Sequence, residues 1–244
     1  MRVHVLLPIL IFLYAILVAS QFVYASSFLS VTVMTDKQTY NLGEDVNING
    51  TLKYVSATPL WNKTWGGTNA DNGWSVAIDS ANNIIIVGET CSFGVGDYDA
   101  FVVKYDSFGV QLWNRTWGGS QNDYGRGVTV DSADNIIVVG WTYSFGVGGD
   151  AFVVRYDSFG VQLWNRTWGG SQFDYGRNVA VNLEGDIIVV GWTKSFGVGD
   201  FDAFVVRYDS FGVQLWNKTW GGEGTDVGFS VAVDLEDNMA VAGW

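Results

Sequence analysis

The phrase LWN(R/K)TWGG stands four times in this chain, at 60–67, 112–119, 163–170 and 215–222. Its leading tryptophans Trp61, Trp113, Trp164 and Trp216 are 52, 51 and 52 residues apart. The one-residue deficit has a visible source. GVGDYDAF (94–101) and GVGDFDAF (197–204) are matched by a shorter GVGGDAF (146–152), and residues 102–121 and 153–172 differ only at Lys104 versus Arg155. A fixed period of this length marks a supersecondary unit that cannot bury its own apolar faces alone, so neighbouring units must stack on one another.

Each unit reads as strands. From Arg126, RGVTVD alternates, SADN is a turn, IIVVGWT is a β-branched strand, YSFGVGGD is a glycine-rich loop, AFVVRYD is a third strand, SFG a tight turn and VQLWNRTW a fourth strand. IIVVG and AFVV are apolar on both faces, so a sheet built from them needs cover on both sides. The economical solution is an all-β propeller of four-stranded blades of ~52 residues arranged around an axis. A parallel β-helix is the second choice, with coils that use fewer residues per repeat. About three and a half blades are present: four first-and-second strand pairs, but only three third-and-fourth pairs, which predicts an open or truncated arc. LWNRTW becomes the outermost strand. Trp113 and Trp117 share a side with Arg115 between them, as do Trp61 and Trp65, Trp164 and Trp168, and Trp216 and Trp220, and they are expected to pack on the neighbouring blade.

The stretch WNRTWGGSQNDYGRGVTVDSADNIIVVGWTYSFGVGGDAFVVRYDSFG (113–160) resembles the SBBP β-propeller repeat. The shared outline is a Trp followed by Gly-Gly, an Asp, a V-x-V-D…N-I hairpin, G-x-T, and a D-A-F strand ending in a Gly turn. The similarity covers 59–244 and recurs in every unit. It implies an extracellular interaction module of archaeal and bacterial type, with no shared catalytic mechanism.

Outside the repeats, residues 1–25 read as a signal peptide: Arg2 precedes an apolar run from Val5 to Ala19, and Val23-Tyr24-Ala25 offers a cleavage site. That places the remainder in a secreted or cell-surface setting, touching membrane only through the N-terminal segment if it stays uncleaved. Residues 26–58 form a short β segment, with strands in SVTVMT and DVNINGTLKYV around YNLGED, that resembles the start of an immunoglobulin-like module. With 25 acids against 13 bases, the net charge of −12 argues against nucleic acid as a partner. The lone cysteine, Cys91, and the lone histidine, His4, leave no disulfide, Cys-based zinc site or His-based triad.

Acids recur at matched places. Asp71, Asp123, Asp174 and Asp226 fall between blades; Asp99, Asp150 and Asp202 precede the third strand; Asp106, Asp157 and Asp209 open DSFG; Asp79, Asp131, Asn182 and Asp234 hold the hairpin turn. Asp and Asn at such places satisfy turn N–H groups, so no cofactor is expected. Calcium is the sharper alternative, without the D-x-D-x-D-G spacing to support it. Asn49, Asn62, Asn114, Asn165 and Asn217 open N-x-T sequons. Phe93, Phe145 and Phe196 in the SFGVG loops are either loop anchors or a ligand rim. Three functions follow in order: a non-catalytic binder of extracellular protein or glycan, a structural spacer of a larger surface protein, and, more distantly, a polysaccharide-active enzyme.

Overall fold

The computed structural model describes strands 27–35 and 48–56 and all of 61–244. The expected signal peptide and the YNLGED turn lie outside the described residues. The chain divides into two units, Met1–Asn62 and Lys63–Trp244. In the first, β1 (Ser27–Thr35) and β2 (Ile48–Ser56) pair antiparallel, from Ser27 opposite Ser56 to Thr35 opposite Ile48.

The second unit is a series of propeller blades, and no helix occurs among the described residues. Blade 1 is β3 (Asp71–Ile78), β4 (Ile84–Thr90), β5 (Asp99–Tyr105) and β6 (Gln111–Trp117). Blade 2 is β7 (Asp123–Val130), β8 (Ile136–Thr142), β9 (Asp150–Tyr156) and β10 (Gln162–Trp168). Blade 3 is β11 (Asp174–Val181), β12 (Ile187–Thr193), β13 (Asp202–Tyr208) and β14 (Gln214–Trp220). Blade 4 holds only β15 (Gly228–Val233) and β16 (Met239–Gly243). Strands pair antiparallel in sequence order within each blade. The second strand of blade 2 falls on the expected residues. The first begins three residues earlier than its alternation suggests, because a bulge between Gly125 and Gly127 breaks the period there; the other blades carry the same bulge. In the first hairpin turn the left-handed position is taken by Asn82, Asp134, Gly185 and Asp237, with φ of 61°, 60°, 85° and 67°, which asparagine, aspartate and glycine tolerate best.

First strands of adjacent blades pack together in the order β3, β7, β11, β15, which leaves the fourth strands outermost. Each seam is a shared apolar layer. Ile85, Val87 and Val102 of blade 1 meet Ile136, Val138 and Phe152 of blade 2; Ile137, Val139 and Val153 meet Ile187, Val189 and Phe204; Ile188 and Val190 meet Val231. The doubly apolar second and third strands are therefore covered on both faces, as their composition requires. The arc is not closed. Val76 and Ile78 face solvent at one end, and Trp244 at the other.

One glycine per blade is dictated by close approach. A Cβ on Gly140 would lie 1.8 Å from the Tyr124 carbonyl oxygen and 2.8 Å from the Phe152 ring, and Gly88 and Gly191 are hemmed in alike. The third-strand phenylalanine lies directly over this glycine on the partner strand.

Candidate functional site

The repeated LWNRTW strand is a latch between blades. The Trp113 indole N–H donates to the Ser158 carbonyl at 3.2 Å, and Arg115 Nε donates to the Gly160 carbonyl at 2.8 Å. Trp164 and Arg166 repeat this on Ser210 and Gly212, at 3.1 and 2.7 Å. The second tryptophan packs on the third-strand phenylalanine of the blade that follows it: Trp65 on Phe101, Trp117 on Phe152 and Trp168 on Phe204, each with ring centroids 4.2 Å apart. Phe93, Phe145 and Phe196 tilt against these same tryptophans at 5.3, 5.1 and 5.2 Å. Their contacts are those of loop anchors, with part of each ring left in solvent. Trp61 and Trp216 are half-buried, whereas Trp220 has no third-strand partner and is 43% exposed.

A second row of rings runs inside the first, at the same end of the blades. The cross-strand pairs Tyr124–Trp141 and Tyr175–Trp192 place one Tyr and one Trp side by side in blades 2 and 3. The rings connect across every seam: Tyr98 to Tyr124 at 5.4 Å, Trp141 to Tyr175 at 4.9 Å, and Trp192 to Phe229 at 5.9 Å. Tyr143 and Phe173 extend the row outward, with Phe173 exposed. In blade 1 the pair is Asn72–Glu89, and Glu89 binds Arg126 of blade 2. The Arg126 guanidinium lies 4.5 Å from the Trp74 ring centre and 4.4 Å from that of Trp141, a cation between two aromatic faces. This inner belt was missed in reading the sequence. Its signal is there: D-Y-G and G-W-T recur in blades 2 and 3, one residue inside matched strand ends.

The acids sort into two ends. Asp71, Asp123 and Asp174 are the first residues of their strands rather than members of a loop, because each is tied down on both sides. Asp123 accepts from the Gly119 N–H and the hydroxyls of Thr142 and Ser144, binding the previous blade's Gly-Gly to its own blade's T-x-S; Asp71 and Asp174 repeat the set. Asp226 accepts from the Gly222 N–H at 2.8 Å. Asp99, Asp150 and Asp202 are buried. Asp99 takes the N–H groups of Val95 and Gly96, and Asp150 that of Val147. At the opposite end, Asp106, Asp157 and Asp209 each hold two N–H groups of the DSFG turn. The hairpin acids pair with third-strand cations: Asp79 with Lys104 at 2.7 Å and Asp131 with Arg155 at 2.5 Å. Asn182 and Asp234 cap their own turns. Among the described residues, no three acidic, histidine or cysteine side chains converge to hold a metal ion.

Carboxylates also face one another across each seam. A Cβ on Gly169 would touch Asp150 Oδ1 at 2.2 Å and Asp174 Oδ2 at 2.5 Å; Gly118 sits likewise between Asp99 and Asp123, and Gly221 between Asp202 and Asp226. Asp150 Oδ1 is buried with no hydrogen-bond donor. Burial, together with the facing Asp174, pushes Asp150 up to about 6 despite the Val147 N–H. Asp99 is raised by burial and by Asp123. A carboxyl whose folded value is raised stabilises fully below its unfolded value and loses that contribution as pH rises through the folded one. Asp150→Asn, whose amide can donate to Asp174, is therefore expected to exceed the parent in stability by about 1–2 kcal/mol at pH 8, with the gap closing by pH 4. Urea midpoints at the two pH values check this; a constant gap would show that Asp150 is ionised throughout.

The sequon residues Asn62, Asn114, Asn165 and Asn217 are all exposed, the last three on outermost strands, and Asn49 falls on β2. Cys91 is a half-buried free thiol.

No family model matches the chain. It is 23% identical, in an alignment 251 positions long that covers 75% of this chain, to an uncharacterized WD repeat-containing protein of Acanthamoeba polyphaga mimivirus, and 32% identical, in an alignment 114 positions long that covers 41% of this chain, to the regulatory protein FlaEY of Caulobacter vibrioides. The chain spans only 18% and 12% of those two relatives. A solved gluconolactonase from Xanthomonas campestris is similar at 14% identity and a TM-score of 0.46, covering 79% of this chain and 62% of that one. The WD-repeat relative and the blades place the chain among repeat β-propellers. Such a fold supports a binding or interaction module in general.

Proposed function

We propose that this chain is a secreted or cell-surface β-propeller of the SBBP repeat type, acting as a non-catalytic binding module for extracellular protein or carbohydrate. The observation that carries the reading is the inner aromatic belt, which crosses every seam on one rim and leaves Phe173, Phe229 and Trp74 open to solvent. Rings repeated at blade intervals suit a ligand that is itself repetitive, such as a glycan. Aromatic faces also supply contact area at small entropy cost. The exposed sequon asparagines on the outer strands fit an extracellular setting.

Binding of the purified protein to immobilised polysaccharides and glycan arrays tests this. Phe173→Ala is expected to weaken retention at least tenfold. Phe108→Ala, in a turn at the opposite end, should leave it unchanged. Equal loss from both, or no retention of the folded protein on any surface, favours a structural spacer. The interlocking of the belt rings with one another supports that second reading, since much of their area is already spent between blades. Turnover of a polysaccharide would replace both with an enzyme.

A further inference from the structure

The bulge in each first strand leaves one residue outside the ladder pairing, between Gly73 and Ser75, Gly125 and Gly127, Gly176 and Asn178, and Gly228 and Ser230. A bulge re-aims the side chain it carries. The four residues are Trp74, Arg126, Arg177 and Phe229. Because first strands of adjacent blades pack together, they form a row, two cations between two rings. The Arg126 guanidinium lies over Trp74, and that of Arg177 lies 5.8 Å from the Phe229 ring centre. Glu89 binds Arg126 and also accepts from Asn72 and the Trp74 indole. In the next seam the place of Glu89 is taken by Trp141. Arg177 is half-buried, and among the described residues no acid or acceptor pairs with it. The first strands on both sides of its own, β7 and β15, are in place. Burial lowers the Arg126 guanidinium against the pull of Glu89, and the charge of Arg177 lowers it further. The two cations therefore stand near enough to repel each other.

We propose that Arg177 is an anion site, and that the anion is the carboxylate of a uronic-acid unit in a polysaccharide; this deepens the glycan-binding reading and rests on it. Arg126 and Glu89 are the internal template: a guanidinium at this bulge, beside an aromatic face, takes a carboxylate. Arginine presents two parallel N–H donors that match the two carboxylate oxygens. Arg177 offers the same donors with no acid of the chain to fill them, so the carboxylate comes from solvent. Its arrival also offsets the repulsion between the two guanidiniums. The aromatic belt around the site favours a sugar acid over an acidic peptide, because a pyranose has a flat apolar face to lay on a ring and an Asp or Glu side chain does not. The net charge of −12 gives polyanions no general attraction, so retention of one must come from a local site of this kind.

The test is calorimetric titration of the full chain with polygalacturonate and with the same polymer after reduction of its carboxyls to alcohols. The acid form is expected to bind more tightly. Arg177→Gln, checked for its fold by circular dichroism, is expected to weaken the acid form about tenfold or more and to leave the reduced form unchanged. Glu89→Gln, which frees Arg126 from its internal acid, is expected to strengthen the acid form. Equal binding of the two polymers, or an Arg177→Gln protein that binds the acid form as the parent does, overturns the proposal and leaves the glycan reading standing. Binding of neither these polymers nor any neutral polysaccharide overturns both. Tighter binding of polyglutamate than of polygalacturonate overturns it in favour of an acidic protein partner.

Discussion

Trp168→Ala is expected to lower the free energy of unfolding by about 3–5 kcal/mol, the range for truncating a large aromatic ring in a core. The same substitution at Trp220 is expected to cost about 1 kcal/mol or less, because a half-exposed ring leaves little cavity behind. The two residues occupy one repeat position and differ in what covers them. Trp168 is buried against Phe204 and Phe196, whereas the blade following Trp220 has no third strand. Guanidinium midpoints of the two variants check the contrast. Similar costs at both positions would mean that the ring acts within its own blade rather than across the seam.

Asp79→Ala is expected to cost about 3 kcal/mol, as removal of one member of a buried ion pair does. Both side chains of the Asp79–Lys104 pair are almost wholly buried, and Asp79 also holds the N–H groups of Ala81 and Asn83. Burial raises the Asp79 carboxyl, but Lys104 and Asn83 outweigh it and hold the group below its ordinary value. Its contribution is therefore present at neutral pH and is lost as pH falls through that lowered value. The double variant Asp79→Ala with Lys104→Met is expected to recover much of the loss, since an apolar side chain of similar length does not strand a charge. Denaturation of the single and double variants decides it. A double variant no more stable than Asp79→Ala would assign the cost to the turn instead of the unpaired ammonium.

The period carried most of the architecture. IIVVGWT and LWNRTW appear as strands within a residue of where their composition put them, since doubly apolar runs and tryptophans four apart have few other ways to be covered. The first strand was harder. Its opening residues, Asp123 to Gly125, precede a bulge that shifts the alternation, and the hydrogen bonds holding Asp123 to Gly119, Thr142 and Ser144 are not visible in linear order. The belt escaped for a related reason. Tyr124 and Trp141 are 17 positions apart and become neighbours only through the register of β7 on β8. The facing carboxylates need a third level of knowledge, the placing of one blade against the next.

Trp113 and Arg115 fasten to main-chain carbonyls at Ser158 and Gly160, and the joint demands glycine at 160, where a Cβ would meet the Trp113 ring at 2.9 Å. A connector of that kind tolerates drift at Ser158 but not at Gly160. Duplication of a single unit in the gene would produce a working joint at once, because the copy brings its own matching phenylalanine and glycine, and the near-identity of residues 102–121 and 153–172 is the trace such lengthening leaves.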